Sequence, residues 1–193
     1  HELIPQIEQA LVESPGLPAF RAVLANAFAS SGDLRRAGAL LEADRVGGLT
    51  MREDMQWTSA HAAWTNAAVL VGDTAMAEVL HARLQPHHDQ VVTTFATVQC
   101  AVAHYLGMLD HLLGRHDDAE RWFDAAMAIH ARMESPLLVA YTDAAWSALL
   151  ADRDRGDDRQ RAGAMAERAV AVAAAGGYGE IQSDAQAVLD RIS

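Results

Sequence analysis

Six residues, Gly114-Arg115-His116-Asp117-Asp118-Ala119, decide the fold that we predict for this sequence. Gly adopts at low cost the left-handed backbone that ends many helices, and Asp caps the next helix and complements its dipole. The Ala five residues after the Gly falls on the inner face of that helix, where a larger side chain would push two packed helices apart. The stretch therefore predicts two helices joined by a tight loop.

The same loop recurs along the chain. It appears as Gly32-Asp33-Leu34-Arg35-Arg36-Ala37, as Gly72-Asp73-Thr74-Ala75-Met76-Ala77, and in a stretched form as Gly156-Asp157-Asp158-Arg159-Gln160-Arg161-Ala162. The spacings from Gly to Gly are 40, 42 and 42 residues, a period that indicates helical repeats.

Apolar residues at helical spacing flank these loops, so we predict an all-α fold, an α–α superhelix of helix pairs. The pairs are 18–30 with 33–45, 55–71 with 73–85, 91–113 with 116–133, and 137–151 with 158–175, with capping helices at 2–13 and 179–192. As whole pairs they span 18–45, 55–85, 91–133 and 137–175, and 1–193 is predicted to form a single repeat domain. The best strand candidate, Val91-Val92-Thr93-Thr94, lies inside a helical pattern and is assigned to the helix 91–113.

Composition favours helix packed on helix. Hydrophobic residues make up 51% of the chain and aromatic residues 6%, and Ala, the best helix former, dominates the apolar set. The formal net charge of −11 repels phosphate backbones, so we expect no direct binding to nucleic acid. A single cysteine suits a reducing cytosol, and no signal peptide or membrane-spanning run is visible. We expect a cytoplasmic protein without membrane contact and, because the chain opens at His1 rather than Met, a piece of a larger one.

Nine histidines raise the alternative of a metal-dependent helical enzyme. His104 and His111 lie two helical turns apart on one face, and His87-His88-Asp89 follows Pro86 in a turn. Zinc sites usually need closer ligands with Cys or carboxylate support. We therefore predict neither a metal nor another cofactor.

Candidate catalytic groups are also better explained structurally. The paired acids Asp117-Asp118, Asp152/Asp154 and Asp157-Asp158 lie at helix starts or in loops, where carboxylates stabilise helix N-termini. Cys100 is expected on a helix among apolar neighbours, where a thiol is usually inert. No G-x-S-x-G elbow occurs, and a chain without Lys cannot form a G-x-x-x-x-G-K-[ST] phosphate loop. We predict no catalytic residue.

The third pair resembles the tetratricopeptide repeat. Leu106-Gly107, Gly114, Ala119, Phe123 and Ala126 fall at the spacing of that family. The other pairs lack the Leu-Gly signature, and 40–42 residues exceed the usual period of about 34. The resemblance implies that the first helices of successive pairs line a concave face.

Five residues are candidates for contact with a partner in that groove. The tetratricopeptide pattern places on the concave side Asn26, Asn66, His104, Met108 and His111. Asn and His can hydrogen-bond a peptide backbone, and Met adapts to varied shapes. A protein or peptide partner, or a small effector, is expected there, against the alternative that these are solvated positions of no special role.

Nearly the whole chain resembles the C-terminal region of large bacterial signal-transduction ATPases of the STAND class, frequent in actinobacteria. The resemblance is carried by Leu17-Pro18-Ala19-Phe20-Arg21, Trp57, Leu84-Gln85-Pro86, Tyr105-Leu106-Gly107, the stretch Leu113–Phe123, Ala126, and Ala131-Arg132-Met133. It implies a sensor or scaffold attached to an ATPase, whose output is a class III adenylate or guanylate cyclase or a LuxR-type helix-turn-helix. We expect a non-catalytic regulatory module that contacts the rest of such a regulator. A passive, self-associating oligomerisation scaffold and the metal-binding enzyme are the alternatives.

Overall fold

The computed structural model of the chain describes residues 4–13, 18–51, 53–94 and 96–193. Its structure is 78% helical, which confirms the predicted all-α class. Ten helices lie in the described ranges: α1 (Ile4–Glu13), α2 (Pro18–Ser30), α3 (Leu34–Val46), α4 (Trp57–Val71), α5 (Thr74–Leu84), α6 (Val102–Leu112), α7 (His116–Arg132), α8 (Pro136–Arg153), α9 (Asp158–Gly176) and α10 (Gly179–Ile192).

The first two repeated loops form helix ends and helix starts as their sequence predicts, whereas in the third loop Arg115 precedes α7 and makes no side-chain capping bond. Gly72 has a φ of +79° and ends α4, and the Asp73 carboxylate then accepts a hydrogen bond of 2.9 Å from the backbone N–H of Met76. Asp33 caps α3 in the same way. The Ala residues of the four loops are fully buried: Ala37, Ala77, Ala119 and Ala162. The small residue is therefore located where helices pack most closely.

The fourth loop corrects two details. Helix α8 ends at Arg153, and the left-handed residue that follows it is Asp154 and not Gly156. Asp157 precedes α9 but makes no side-chain capping bond. Asp158 is 2% exposed and binds Arg153. The extra residues of this loop thus bring in a buried ion pair in place of the expected Asp157 cap.

A β-hairpin replaces the first part of the helix predicted over 91–113. Strand β1 (Val91–Thr93) pairs antiparallel with β2 (Val98–Ala101), and α6 begins only at Val102. β-Branched residues suit strands, and Val92 is fully buried whereas Val98 is 56% exposed. The Val102 N–H donates to the Gln90 carbonyl at 2.9 Å, which closes the base of the hairpin.

The chain divides into two compact units, His1–Tyr105 and Leu106–Ser193, with the boundary inside α6. In the first unit, α2 packs against α1, α3 and α4, while α5 contacts both α3 and α4. Its fully buried side chains include those of Leu41, Trp64, Met76, Leu80 and Leu84. Helix α1 has no buried residue, so the core of this unit comes from α2–α5 and the hairpin.

In the second unit, α8 is the central helix and packs against α7, α9 and α10. Helix α6 approaches α7 at Gly107, where a Cβ atom would lie 2.6 Å from two ring carbons of Phe123. Side chains of Phe123, Leu149, Leu150 and Ile181 form the core with a row of alanines along α9. Small residues therefore set the helix spacing of this unit.

Candidate functional site

Three of the predicted groove residues lie in the first unit. Asn26 on α2 and Asn66 on α4 are half-buried, and these two helices pack against each other. His104 on α6 is 4% exposed, with its ring edge-on to Tyr105 at a centroid distance of 5.2 Å. The two Asn side chains can therefore reach a partner without rearrangement, whereas His104 is buried among protein atoms.

The other two groove residues lie in the second unit. Met108 is half-buried and packs against the core of that unit. The His111 Nε2 atom is 2.8 Å from a carboxylate oxygen of Asp152 on α8, and Arg191 on α10 donates to the other oxygen at 2.6 Å. Burial lowers the pKa of His111, although the hydrogen bond and charge of Asp152 partly offset that effect. His111 thus links α6 to α8.

A cavity that the sequence reasoning missed is found in the first unit. Its volume is about 290 Å³ and it lies between α2, α3, α4 and the loop that follows α3. Its lining consists of Pro18, Arg21, Ala43, Asp44, Gly47, Leu49, Thr50 and Trp64. We call it the Arg21 cavity.

Asp44 organises the polar side of the Arg21 cavity. One of its oxygens accepts a hydrogen bond of 2.5 Å from Arg21 Nε, and the other accepts one of 2.9 Å from the Trp64 indole N–H. Asp44 is 9% exposed. A carboxylate so far from solvent is stable because both oxygens are bonded and one partner is a cation. The orientations of the guanidinium and the indole are therefore fixed together.

The loop wall of the cavity is held by Arg83 of α5. Its guanidinium donates to the carbonyl oxygens of Leu49 at 3.0 Å and Gly48 at 2.6 Å. Leu49 has a φ of +47° while its side chain is 3% exposed. A large residue rarely adopts this conformation, and such backbone strain is found most often near functional sites.

The charges around the Arg21 cavity leave a positive excess. The two terminal amino groups of Arg21 have no hydrogen-bond partner among the described residues. Arg83 binds neutral carbonyl oxygens and, within the described ranges, no carboxylate. Asp44 therefore offsets only one of the two guanidinium charges, in a chain whose net charge is −11.

A buried aromatic cluster lies beside the cavity. His61 is fully buried, stacks on Trp57 at a centroid distance of 3.9 Å, and meets the edge of Trp64 at 5.3 Å. Its Nδ1–H donates to the Trp57 carbonyl at 2.8 Å, because a carbonyl oxygen can only accept. Burial lowers the pKa of His61 to about 4, so the ring is neutral near pH 7. The cluster thus packs against Trp64 and carries no charge near pH 7.

No pattern in the sequence marks the cavity. Arg21 belongs to a stretch that carries the family resemblance, but its partner Asp44 is 23 residues away, and Trp64, which binds the same carboxylate, is 43 residues away. The three residues lie on different helices, and neither charge pattern nor local spacing links them. A tertiary arrangement of helices is needed to bring them together.

The structure also locates the metal-ligand and thiol candidates of the sequence. Among the described residues, no cluster of three or more His, Cys, Asp or Glu side chains could hold a metal ion. Cys100 lies on β2 and not on a helix as predicted, and burial raises the pKa of its thiol to about 12. In the same ranges, no helix is long and apolar enough to cross a membrane.

Comparisons with protein-family models, with curated proteins and with solved structures found no match for this chain. The geometry of the Arg21 cavity is therefore the main guide to its function.

Proposed function

We propose that this chain is a non-catalytic recognition module and that the Arg21 cavity of its first unit is a ligand-binding site. One observation carries the proposal: Arg21 is held in place by a buried carboxylate while its terminal amino groups are unused by the described residues. A preorganised cation in a concave site, next to a strained loop, is typical of binding sites. The partly buried Asn26 and Asn66 stay candidates for contact with a protein partner.

We also propose that the helix pairs are tetratricopeptide-like and belong to an α–α superhelix. The close approach of Gly107 to Phe123 supports this, since the spacing of these residues is the one on which the resemblance rests. Buried Ala at the same point of each loop supports it further. Repeats of this kind expose extended surfaces for binding.

The resemblance to STAND-class regulators suggests how binding would be used. We propose that the chain is a cytoplasmic sensor or scaffold whose ligand changes its contacts with an ATPase and an output domain, either a cyclase or a helix-turn-helix. Such regulation requires that the ligand bind one state of the regulator more tightly than another. The regulation therefore depends on the ligand that the cavity selects.

A thermal-shift screen of the purified chain tests the binding function. We expect at least one compound from a chemically diverse library to raise the melting temperature by more than about 2 °C, because a ligand that binds only the folded state stabilises it. The same compound should not stabilise the variant Ala43→Trp, because Ala43 lines the cavity and the larger side chain would occupy the space of the ligand.

Ala39→Trp is the matched control, since Ala39 is exposed on the same helix and does not line the cavity. It should respond like the unmodified chain. If every stabilising compound acts equally on Ala43→Trp, or if no compound acts at all, the Arg21 cavity is not the binding site.

A further inference from the structure

We infer that the ligand of the Arg21 cavity is a small molecule with one carboxylate group and a compact apolar body. The inference rests on the binding function proposed above and adds the chemical class of the ligand. It comes from the hydrogen-bonding geometry of Arg21, the charge balance, and the size and lining of the cavity.

The geometry of Arg21 selects a planar anion. A guanidinium donates through two edges, and Asp44 occupies the Nε position at 2.5 Å. The terminal amino groups present parallel N–H donors, which match the two oxygens of a carboxylate. Because Asp44 already fixes the guanidinium, little side-chain entropy is lost when a ligand binds.

The charge balance selects a monoanion. Arg21 and Asp44 contribute one charge of each sign to the lining, and Arg83 adds a positive charge where it binds the loop at Gly48 and Leu49. Helix α2 also begins at Pro18, a residue of the cavity lining, and the N-terminal end of a helix favours negative charge. One excess positive charge suits a carboxylate better than a phosphate dianion, which would require further cationic partners.

The size and lining select the rest of the ligand. A volume of about 290 Å³ lies just below the usual range for small-molecule sites, so the ligand must be small. Pro18 and Ala43 provide the accessible apolar contacts of the lining, whereas Trp64 and Leu49 are 1% and 3% exposed. An aromatic ring or a short branched chain attached to the carboxylate would fit these surfaces.

Titration with benzoate, followed in ¹H–¹⁵N spectra of the full chain, tests the inference. We expect saturable shifts of the Arg21 Nε–H and Trp64 indole N–H signals at millimolar benzoate, since both protons point to Asp44 beside the bound ion. Benzyl alcohol, which has the same ring without the charge, should give no saturable shift. Inorganic phosphate should bind at least tenfold more weakly than benzoate.

Two variants separate the Arg21 site from general attraction to arginine. Arg21→Gln should weaken benzoate binding at least tenfold. Arg168→Gln should leave it unchanged, although Arg168 also pairs with a buried carboxylate, that of Asp143 in the second unit. Ala43→Trp keeps the Arg21–Asp44 pair and should lose benzoate binding. It replaces Arg21→Gln as the test variant if Arg21→Gln does not fold.

Equal binding of benzoate and benzyl alcohol would overturn the inference, as would equal binding of phosphate or full binding by Arg21→Gln. No saturable benzoate shift would also overturn it. If the screen above still finds an uncharged compound whose effect Ala43→Trp removes, only the ligand class is wrong and the binding function stands.

Discussion

Gly107 shows how one absent side chain sets the distance between two helices. An added Cβ would lie 2.6 Å from two carbons of the Phe123 ring, closer than carbon atoms approach without displacement. Phe123 is fully buried, so its ring has no free space into which it can turn. The distance between α6 and α7 therefore depends on glycine at this position.

We predict that Gly107→Ala lowers the free energy of unfolding of the second unit by about 2 kcal/mol, the usual cost of overpacking a core. The control is Gly163→Ala in α9, where a Cβ would lie 3.5 Å from Ile192 Cδ1, an ordinary contact. It should stabilise the unit by about 0.5–1 kcal/mol, because Ala has the higher helix propensity. Urea unfolding measures both, and equal effects of the two changes would contradict the packing argument.

Sequence reasoning at the residue scale works where the partners are close in the chain. Gly107, Ala119 and Phe123 lie within 17 consecutive residues, and their spacing is part of the tetratricopeptide resemblance. Arg21 and Trp64 meet only because α2 and α4 both pack near Asp44. Their association depends on the packing of separate helices, which local periodicity does not specify.

Among the helices, the C-terminal end of α8 connects three elements through one cation. Arg153 is 9% exposed and donates to Glu120 of α7 at 2.5 Å and to Asp158 of α9 at 2.7 Å. Hydrogen bonds from Arg153 hold the pKa of Asp158 below its usual value despite its burial. Burial acts to raise the pKa of Glu120, but hydrogen bonds from Arg161 and Arg153 outweigh it and lower the pKa.

We predict that Arg153→Met destabilises the second unit by about 3 kcal/mol, because it leaves the buried carboxylate of Asp158 without its main partner. Arg121→Met is the control, since Arg121 forms an exposed ion pair with Asp118 and such pairs contribute about 0.5 kcal/mol or less. Chemical unfolding of both variants at pH 7 measures the difference. A loss below about 1 kcal/mol for Arg153→Met would show that Arg161 replaces the missing cation.

The elements themselves are predicted well except where two patterns overlap. Helices α2, α3, α4, α5 and α7 begin and end within about two residues of their predicted limits. The failure is at 91–101, where apolar residues fit a helical spacing but β-branched Val91, Val92 and Thr93 favour a strand. The hairpin forms instead of a helix because it buries Val92 and because the backbone of β1 pairs with that of β2.

Over the whole molecule, each compact unit contains one fully buried histidine with a depressed pKa. Burial lowers the pKa of His61 in the first unit and of His130 in the second to about 4. Between that value and about 6.5, the unfolded chain binds a proton at each site and the folded chain does not. Stability is therefore complete above about pH 6.5 and decreases as the pH falls toward 4.

We predict that each histidine removes about 2 kcal/mol of stability between pH 7 and pH 5. His61→Phe should reduce the pH dependence of the first unit by that amount, because a phenyl ring cannot be protonated. The Nε2 atom of His61 has no hydrogen-bond partner in the described part of the chain, so the change removes no bond at that atom. The exposed His88 provides the control variant His88→Phe, which should keep the original pH dependence. Urea unfolding at the two pH values measures the effect, and an unchanged slope in His61→Phe would show that His61 titrates normally.

The base of the hairpin is a single hydrogen bond between Gln90 and Val102, so the chain leaves and returns at almost the same point. Residues can be added to or removed from such an excursion at a small cost in loop-closure entropy, and without shifting the elements at its base. The hairpin therefore lengthens the interval between Gly72 and Gly114 without interrupting α5 or α6. In related genes, we expect insertions and deletions to accumulate at this position, which makes it the natural place to graft a tag or a reporter.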